Sequence, residues 1–391
     1  MNQEKNQFGL LIFIVLSILL FSLGKLRADP NPAAIPPVDL IYPVVQGHLF
    51  QEFDVPGSEL TEQGRNIRGV YVPLGKLRTK KVRQLVRWVV KDIGANAVIL
   101  DIKDDRGRVT FTKELPGATN ASHGLLRRRM PKLVQAFKDE GVYVIGRLVC
   151  FKDNQFPRKH PAAAILDRRT KKIWRDRSKL SWLDPYSPVA HDYIASVASA
   201  AEAIGFDEIQ LDYVRFPVEP GARYAMYPNR GDTPERYEAI AALLAKVDAE
   251  IRLPLSIDVF GLTAYHPGDQ DGLGQSLEHL APHIDAISPM LYLANWRRSV
   301  WENPKPSKTH RLVHNAVKRI RRRLGDHIAV RPLLQGFKYR AQNFGVGFIH
   351  NQIDAAETAG SSGHLFWNQS GNYGKVSLIY RRSSNRTRKS K

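Results

Sequence analysis

The sequence predicts a single α/β domain, a (β/α)8 TIM barrel, behind an N-terminal hydrophobic segment. Two observations carry that prediction. Between about Arg68 and Asn368, eight short β-prone runs alternate with segments whose apolar residues recur at helical spacing. This span of about 300 residues suits a barrel of near 250 residues with insertions. With 391 residues, 43% of them apolar, the chain can bury a core of that size. A doubly wound open sheet is the competing architecture, but no Gly-rich phosphate loop follows the first strand.

The strands are expected at Arg68 to Pro73, Asn96 to Lys103, Val142 to Phe151, Glu208 to Tyr213, Leu255 to Phe260, Ile284 to Tyr292, Ala329 to Phe337 and Gly363 to Asn368. Between the first two, Val82, Leu85, Val86, Val89 and Ile93 form one apolar stripe of a helix over Thr79 to Ile93. Further helices are expected near Leu125 to Glu140, after the Ser187-Pro188 cap signal, after Thr233-Pro234, around Gln275 to Ala281, up to Leu324, and near Phe348 to Thr358. The connection from Lys152 to Tyr186 is long, which marks it as functional or poorly ordered.

Domain limits follow from composition. Residues 1–28 contain the uncharged run Phe8 to Leu23, flanked by Lys5, Lys25 and Arg27, and read as a signal peptide or a membrane anchor. Residues 29–65 form a proline-rich linker, 66–375 the barrel, and 376–391 a basic tail expected to be disordered. The chain is thus expected to be exported, to the periplasm or beyond, and either released or anchored in the inner membrane by residues 8–23. Lys plus Arg number 58 against 38 Asp plus Glu, a formal charge of +20, which predicts attraction to polyanions: nucleic acid, anionic lipid headgroups or anionic envelope polymers. The basic residues carry no aromatic interleaving, so nucleic acid is not favoured. Cys150 is the only cysteine and closes an apolar run, which excludes an intrachain disulfide and a Cys-rich metal site and places the thiol in the core.

Catalytic groups of such barrels sit at the carboxyl ends of the strands. Those ends present Tyr71, Asp101, Lys103, Arg147, Asp212, Asp258, Tyr292, Gln335, Trp367 and Asn368, with Gln210 one inward step below Asp212 and Arg215 just beyond it. Ile209 and Leu211 alternate with Glu208, Gln210 and Asp212, so one face of that strand is polar throughout. Strands covered by helices normally read as near-continuous apolar runs, and a polar line facing inward asks for a reason. Two carboxylates on adjacent strands, Asp212 and Asp258, suit glycosidic cleavage, which needs a proton donor and a group to meet the oxocarbenium-like carbon. Neighbouring strands about 4.8 Å apart would allow the roughly 5 to 5.5 Å separation of retaining enzymes. On that reading Asp212 is the nucleophile and Asp258 the acid/base, although the roles could be exchanged. Tyr71, Asp101, Lys103, Arg147, Gln210, Arg215, Tyr292, Gln335, Trp367 and Asn368 would bind substrate. Aromatic faces and planar polar groups suit a polysaccharide or oligosaccharide.

Other chemistries find less support. Asp101, Asp104 and Asp105 could hold a cation through oxygen ligands, but Lys103 and Arg106 among them favour charge pairing, so no metal or other cofactor is expected. His310 and His314 have helical ligand spacing without the glutamate of a zinc protease motif. A non-catalytic polysaccharide- or wall-binding barrel is the main alternative to the hydrolase.

The runs VILDIKDDRGRVTF, GRLVCFKD, SWLDPYS, GFDEIQLDYVRFP, SIDVFGLT, APHIDAISPMLY and LFWNQSGNY, in this order from about Arg68 to Tyr373, resemble an uncharacterised bacterial barrel family grouped with the glycoside hydrolases and similar to the α-amylase-like glycosidases. The resemblance implies a TIM barrel with Asp212 and Asp258 in the carboxylate positions. The chain departs from the family after Tyr292, where LANWRRSVWENP replaces a short loop containing proline and histidine.

Overall fold

A computed structural model describes residues 60–111, 124–232, 235–269, 271–296, 306–341 and 343–389. The hydrophobic segment and most of the proline-rich stretch lie outside the described residues. Eight parallel strands close into a barrel: β1 Ile67–Tyr71, β2 Ala97–Lys103, β3 Tyr143–Val149, β4 Glu208–Asp212, β5 Leu255–Phe260, β6 Ala286–Met290, β7 and β8 Gly363–Trp367. Strand β7 comes in two pieces, Ala329–Val330 and Leu333–Gln335, because Pro332 has no N–H to give the ladder. Closure runs through its second piece, where Leu333 pairs with Met290 on one side and Leu365 on the other.

The helices return along the outside: α1 Val82–Arg87, continuing as a π-helical turn Trp88–Ile93; α2 Leu125–Lys138; α3 Pro188–Glu202; α4 Arg236–Glu250; α5 Leu277–Leu280; α6 Pro306–Leu324; α7 Val346–Thr358; and α8 Gly374–Lys389. At α3 the expected cap is present, the Ser187 hydroxyl accepting from the Ala190 N–H at 3.4 Å. Thr233 and Pro234 lie outside the described residues. The expectation for residues 376–391 differs from the structure: helix α8 covers them to Lys389, and Val376 and Tyr380 bury their side chains. Those two apolar side chains, spaced four apart, give the otherwise basic run a face to pack.

The long connection after β3 is also ordered. Leu166–Asp167 pairs with Ala225–Met226 from the connection after β4, so two loops brace each other above the barrel. Gly363 opens β8 at φ +95, where any Cβ would collide with the Ile67 backbone. Only glycine starts this strand in that register.

Two apolar clusters result. The larger lies between strands and helices and includes Val98, Leu100, Val144, Ile209, Ile257 and Phe366. The smaller fills the barrel itself, with Ile67, Ile99, Tyr143, Ile145, Leu333 and Leu365. Each buried Leu or Ile contributes about 1.5–3 kcal/mol of transfer free energy. The floor is closed by Leu60 and the short helix Glu62–Arg65, both within the stretch expected to be linker.

Candidate active site

Polar residues enter the barrel on β4, β5 and β6, and their heights follow from the register. Gln210 pairs with Ser256, Leu211 with Ile257, and Asp258 with Ser288. Asp212 and Asp258 are therefore next in register on adjacent strands, both inward-facing and both buried.

At the floor Glu208 meets Arg331 in a fully buried ion pair at 2.5 Å. Ser256 and Tyr143 donate to the same carboxylate, and the second Arg331 nitrogen, Nη1, also donates to the Gly64 carbonyl at 3.0 Å. Arg331 is the inward-facing residue that strand reading missed. Its signal is a base inside the apolar run AVRPLL. One layer up, the Gln210 amide donates to Ser288 Oγ at 3.3 Å, while its Oε1 is buried without a partner.

The top layer turns on Arg147 of β3. Its Nη1 donates to Asp101 Oδ1 at 2.6 Å, and Nε and Nη2 both donate to Asp212 Oδ2 at 2.9 and 2.5 Å. Asp101 also accepts from the Tyr71 hydroxyl at 2.7 Å. The Tyr71 ring stacks on Trp367, centroids 3.9 Å apart, and the guanidinium lies 4.9 Å from the Trp367 ring centre. Burial alone would lower Arg147, but Asp212 and Asp101 hold it well above its usual value and keep it cationic. Burial raises Asp101 against the opposing pull of Arg147 and the Tyr71 hydrogen bond.

Asp212 meets donors on both oxygens, the second being the Tyr213 N–H to Oδ1 at 2.6 Å. Tyr213 takes φ +52, an unusual conformation for a bulky side chain and a place where strain is stored beside a functional group. Asp258 differs: its Oδ1 is buried with no hydrogen-bond partner. Burial first, and the Asp212 charge second, push its carboxyl well above the ordinary carboxylate range. A carboxyl raised by burial beside another that is surrounded by donors is the asymmetry acid catalysis uses.

The structure thus brings Tyr71, Asp101, Arg147, Asp212 and Trp367 into one bonded or stacked network. The charges of Asp258 and Asp212 act together on the buried Tyr292 hydroxyl, raising it after burial itself. Four other strand-end candidates are committed to the framework. Lys103, past a register shift after Asp101, pairs with Asp153 at 3.0 Å. Arg215 pairs with Glu219 at 2.8 Å. Gln335 ties Ala294, Phe337 and Tyr339 together through their backbones, and Asn368 does the same for Gly336 and Asn372. Asp104 is held by Arg108 and by the N–H groups of residues 106 and 108. Cys150 is buried, which pushes its thiol up.

Beyond β5 and β6 a shallow cleft is lined by Phe260, Gly261, Leu262, Met290, Asn295 and Trp296. Met290 also borders the apolar cluster inside the barrel, so the cleft adjoins the mouth. Trp296 comes from the segment in which the sequence departs from the family it resembles.

Comparison with known proteins agrees with this architecture. No curated protein matches the chain. Among solved structures, a hypothetical protein from Ruminiclostridium thermocellum is 32% identical over 49% of this chain and 97% of its own, with a TM-score of 0.41. The glycoside hydrolase domain of PgaB (BpsB) from Bordetella bronchiseptica is 16% identical over 81% of this chain and 98% of its own, TM-score 0.59. The endo-1,4-beta-D-mannanase of Thermotoga petrophila is 12% identical over 82% and 99%, TM-score 0.53. The last two share the barrel. Residues 69–373, most of the chain, match the model of the family described as "Putative glycosyl hydrolase domain", and this protein belongs to that glycoside hydrolase family.

Proposed function

We propose that the protein hydrolyses glycosidic bonds of a polysaccharide with retention, Asp258 serving as acid/base and Asp212 as nucleophile. The observation that carries the reading is the contrast between the two carboxyls, one buried without a partner beside another ringed by donors. Asp258 donates its proton to the glycosidic oxygen as the C–O bond breaks, and an Asp212 oxygen forms an ester to the anomeric carbon. Water then gives its proton to the Asp258 carboxylate and attacks that carbon, releasing Asp212. Asp212 Oδ1, which accepts only from the Tyr213 N–H, keeps a lone pair for the attack. Arg147 orients the nucleophile, Trp367 holds Arg147 and Tyr71 in place, and the Trp296 face supplies sugar-stacking surface.

The first test is release of reducing ends from a panel of envelope and extracellular glycans. Wild type is expected to be active, and Asp212→Asn and Asp258→Asn, with unchanged circular dichroism, inactive. Activity retained in both variants contradicts the assignment.

The Arg147 clamp also favours a second reading, in which Asp212 is committed to structure and the barrel binds glycan without cleaving it. Glycan binding that survives both substitutions, with no product from any substrate, selects that reading. Placement belongs to the same proposal: the run Phe8 to Leu23 directs export and either anchors the barrel in the inner membrane or is removed, with anionic envelope polymers as neighbours. Fractionation of cells expressing the full chain, with accessibility of the barrel to external protease, tests it. A barrel found in the cytosol contradicts it.

A further inference from the structure

Apart from helix α6, which carries seven Lys and Arg of its own, many of the basic residues scattered along the sequence are gathered by the fold. Helix α8, the segment 74–91 that includes α1, and helix α2 lie side by side. The Trp88 ring is 6.1 Å from that of Tyr373 at the head of α8, and the Arg381 backbone lies against Gly94. Arg129 of α2 donates to the Arg78 and Lys80 carbonyls. These three stretches, residues 374–389, 74–91 and 125–138, contain 18 Lys and Arg and no Asp or Glu. Across the barrel the pattern reverses: α3 has two acidic residues and no Lys or Arg, and α4 has three acidic residues against two basic. The nearest acids are Asp92, in the π-helical turn that continues α1, and Asp139 and Glu140, just past the end of α2, so bases outnumber acids heavily across the sector.

Two further features select the partner. On α8, Leu378 is 40% exposed and stands in one row with the exposed Lys375 and Arg381. An apolar side chain between bases on a helix surface suits an interface with headgroups outside and acyl chains beneath. In addition, β-to-α connections lie at the mouth, so α1 and α8 run back toward the floor, and the chain enters the barrel at that floor through Leu60 and Gly64. The stretch leading back to the apolar run Phe8 to Leu23 therefore meets the barrel at the end where the basic sector finishes.

We infer that the α8–α1–α2 sector is a docking surface for an anionic phospholipid bilayer, holding the barrel against the membrane while its mouth stays open to polymer. This rests on the membrane placement proposed above, and the experiment separates the two. The full chain is mixed with vesicles of phosphatidylcholine alone or with added phosphatidylglycerol, and lysine labelling by an amine reagent is read by mass spectrometry. Labelling of Lys81, Lys91 and Lys375 is expected to fall at least about threefold with phosphatidylglycerol and to recover in high salt, while Lys246 of α4 is unchanged. Replacing Arg83, Arg87 and Arg381 together by Glu should erase this footprint. Association with both vesicle types without the footprint leaves the anchor reading standing and overturns the docking surface. Protection by a soluble acidic polysaccharide but not by anionic vesicles overturns it as well, assigning the sector to polymer.

Discussion

The inside of the barrel has two unlike halves. On β1, β2, β3 and β8 the inward positions below the mouth are Ile67, Ala97, Ile99, Tyr143, Ile145 and Leu365, which pack as hydrocarbon around one phenol. On β4, β5 and β6 they include Glu208, Gln210, Asp212, Ser256, Asp258 and Ser288, all buried. The apolar half gains free energy from burial, whereas the polar half loses it to desolvation and recovers part through Arg331 and Arg147. A fold that keeps such a line of buried polar groups when apolar ones would fit gains something other than stability. Here the polar column rises from a fixed ion pair at the floor, through the half-satisfied Gln210, to the orphaned Asp258 oxygen.

The sharpest way to break the comparison is at the top of each half. Asp258→Asn should lower turnover on the order of 10^2- to 10^4-fold, and Asp212→Asn at least as much, with thermal unfolding still cooperative. In the apolar half, Ile99→Ala should leave turnover within about twofold while costing about 2–5 kcal/mol in urea unfolding. Equal losses of activity from both sites would erase the distinction.

Further down, Glu208→Ala leaves Arg331 charged and unpaired, and should cost about 3–5 kcal/mol by the same assay. Glu208→Gln combined with Arg331→Met, which removes both charges, should restore most of the loss. A double variant no more stable than the single would show that the pair is not the cause.

Two pH limbs separate the inside of the barrel from its outside. His364 of β8 faces α8, buried with neither ring nitrogen paired, and burial pushes it down to about 3. Below its unfolded value the unfolded chain binds the extra proton, so stability present at neutral pH is lost as pH falls. Between pH 7 and pH 5 the loss should be about 2 kcal/mol, absent in His364→Leu. Asp258 acts in the opposite sense. Its folded carboxyl is raised, so the folded state holds the extra proton and stability falls as pH rises above the ordinary carboxylate value. Asp258→Asn should therefore raise the unfolding midpoint more at pH 8 than at pH 4, the smallest of these effects and the one most specific to the polar half.

Much of this was legible in the sequence because the fold obeys local rules. All eight strands announce themselves by β-prone runs, and the 2-residue alternation of EIQLD gives the inward face of β4 directly. Alternation ceases to help where a strand ends. Lys103 follows a register shift, Arg215 follows a residue at φ +52, and Gln335 and Asn368 meet loop carbonyls that no periodicity encodes. The Arg147 clamp and the Glu208–Arg331 pair join residues 65 and 123 positions apart, and the gathering of bases on α8, α1 and α2 joins the two ends of the barrel. Such contacts are set by closure of the barrel, which spacing alone does not report.

The most direct test of the central claim needs no substrate. With carboxyl carbons labelled in Asp, NMR titration of the wild type should show one side chain, absent in Asp258→Asn, that stays protonated well above the ordinary carboxylate range and titrates lower in Asp212→Asn. A carboxyl at position 258 that ionises in the ordinary range, or one indifferent to loss of the Asp212 charge, would contradict the account.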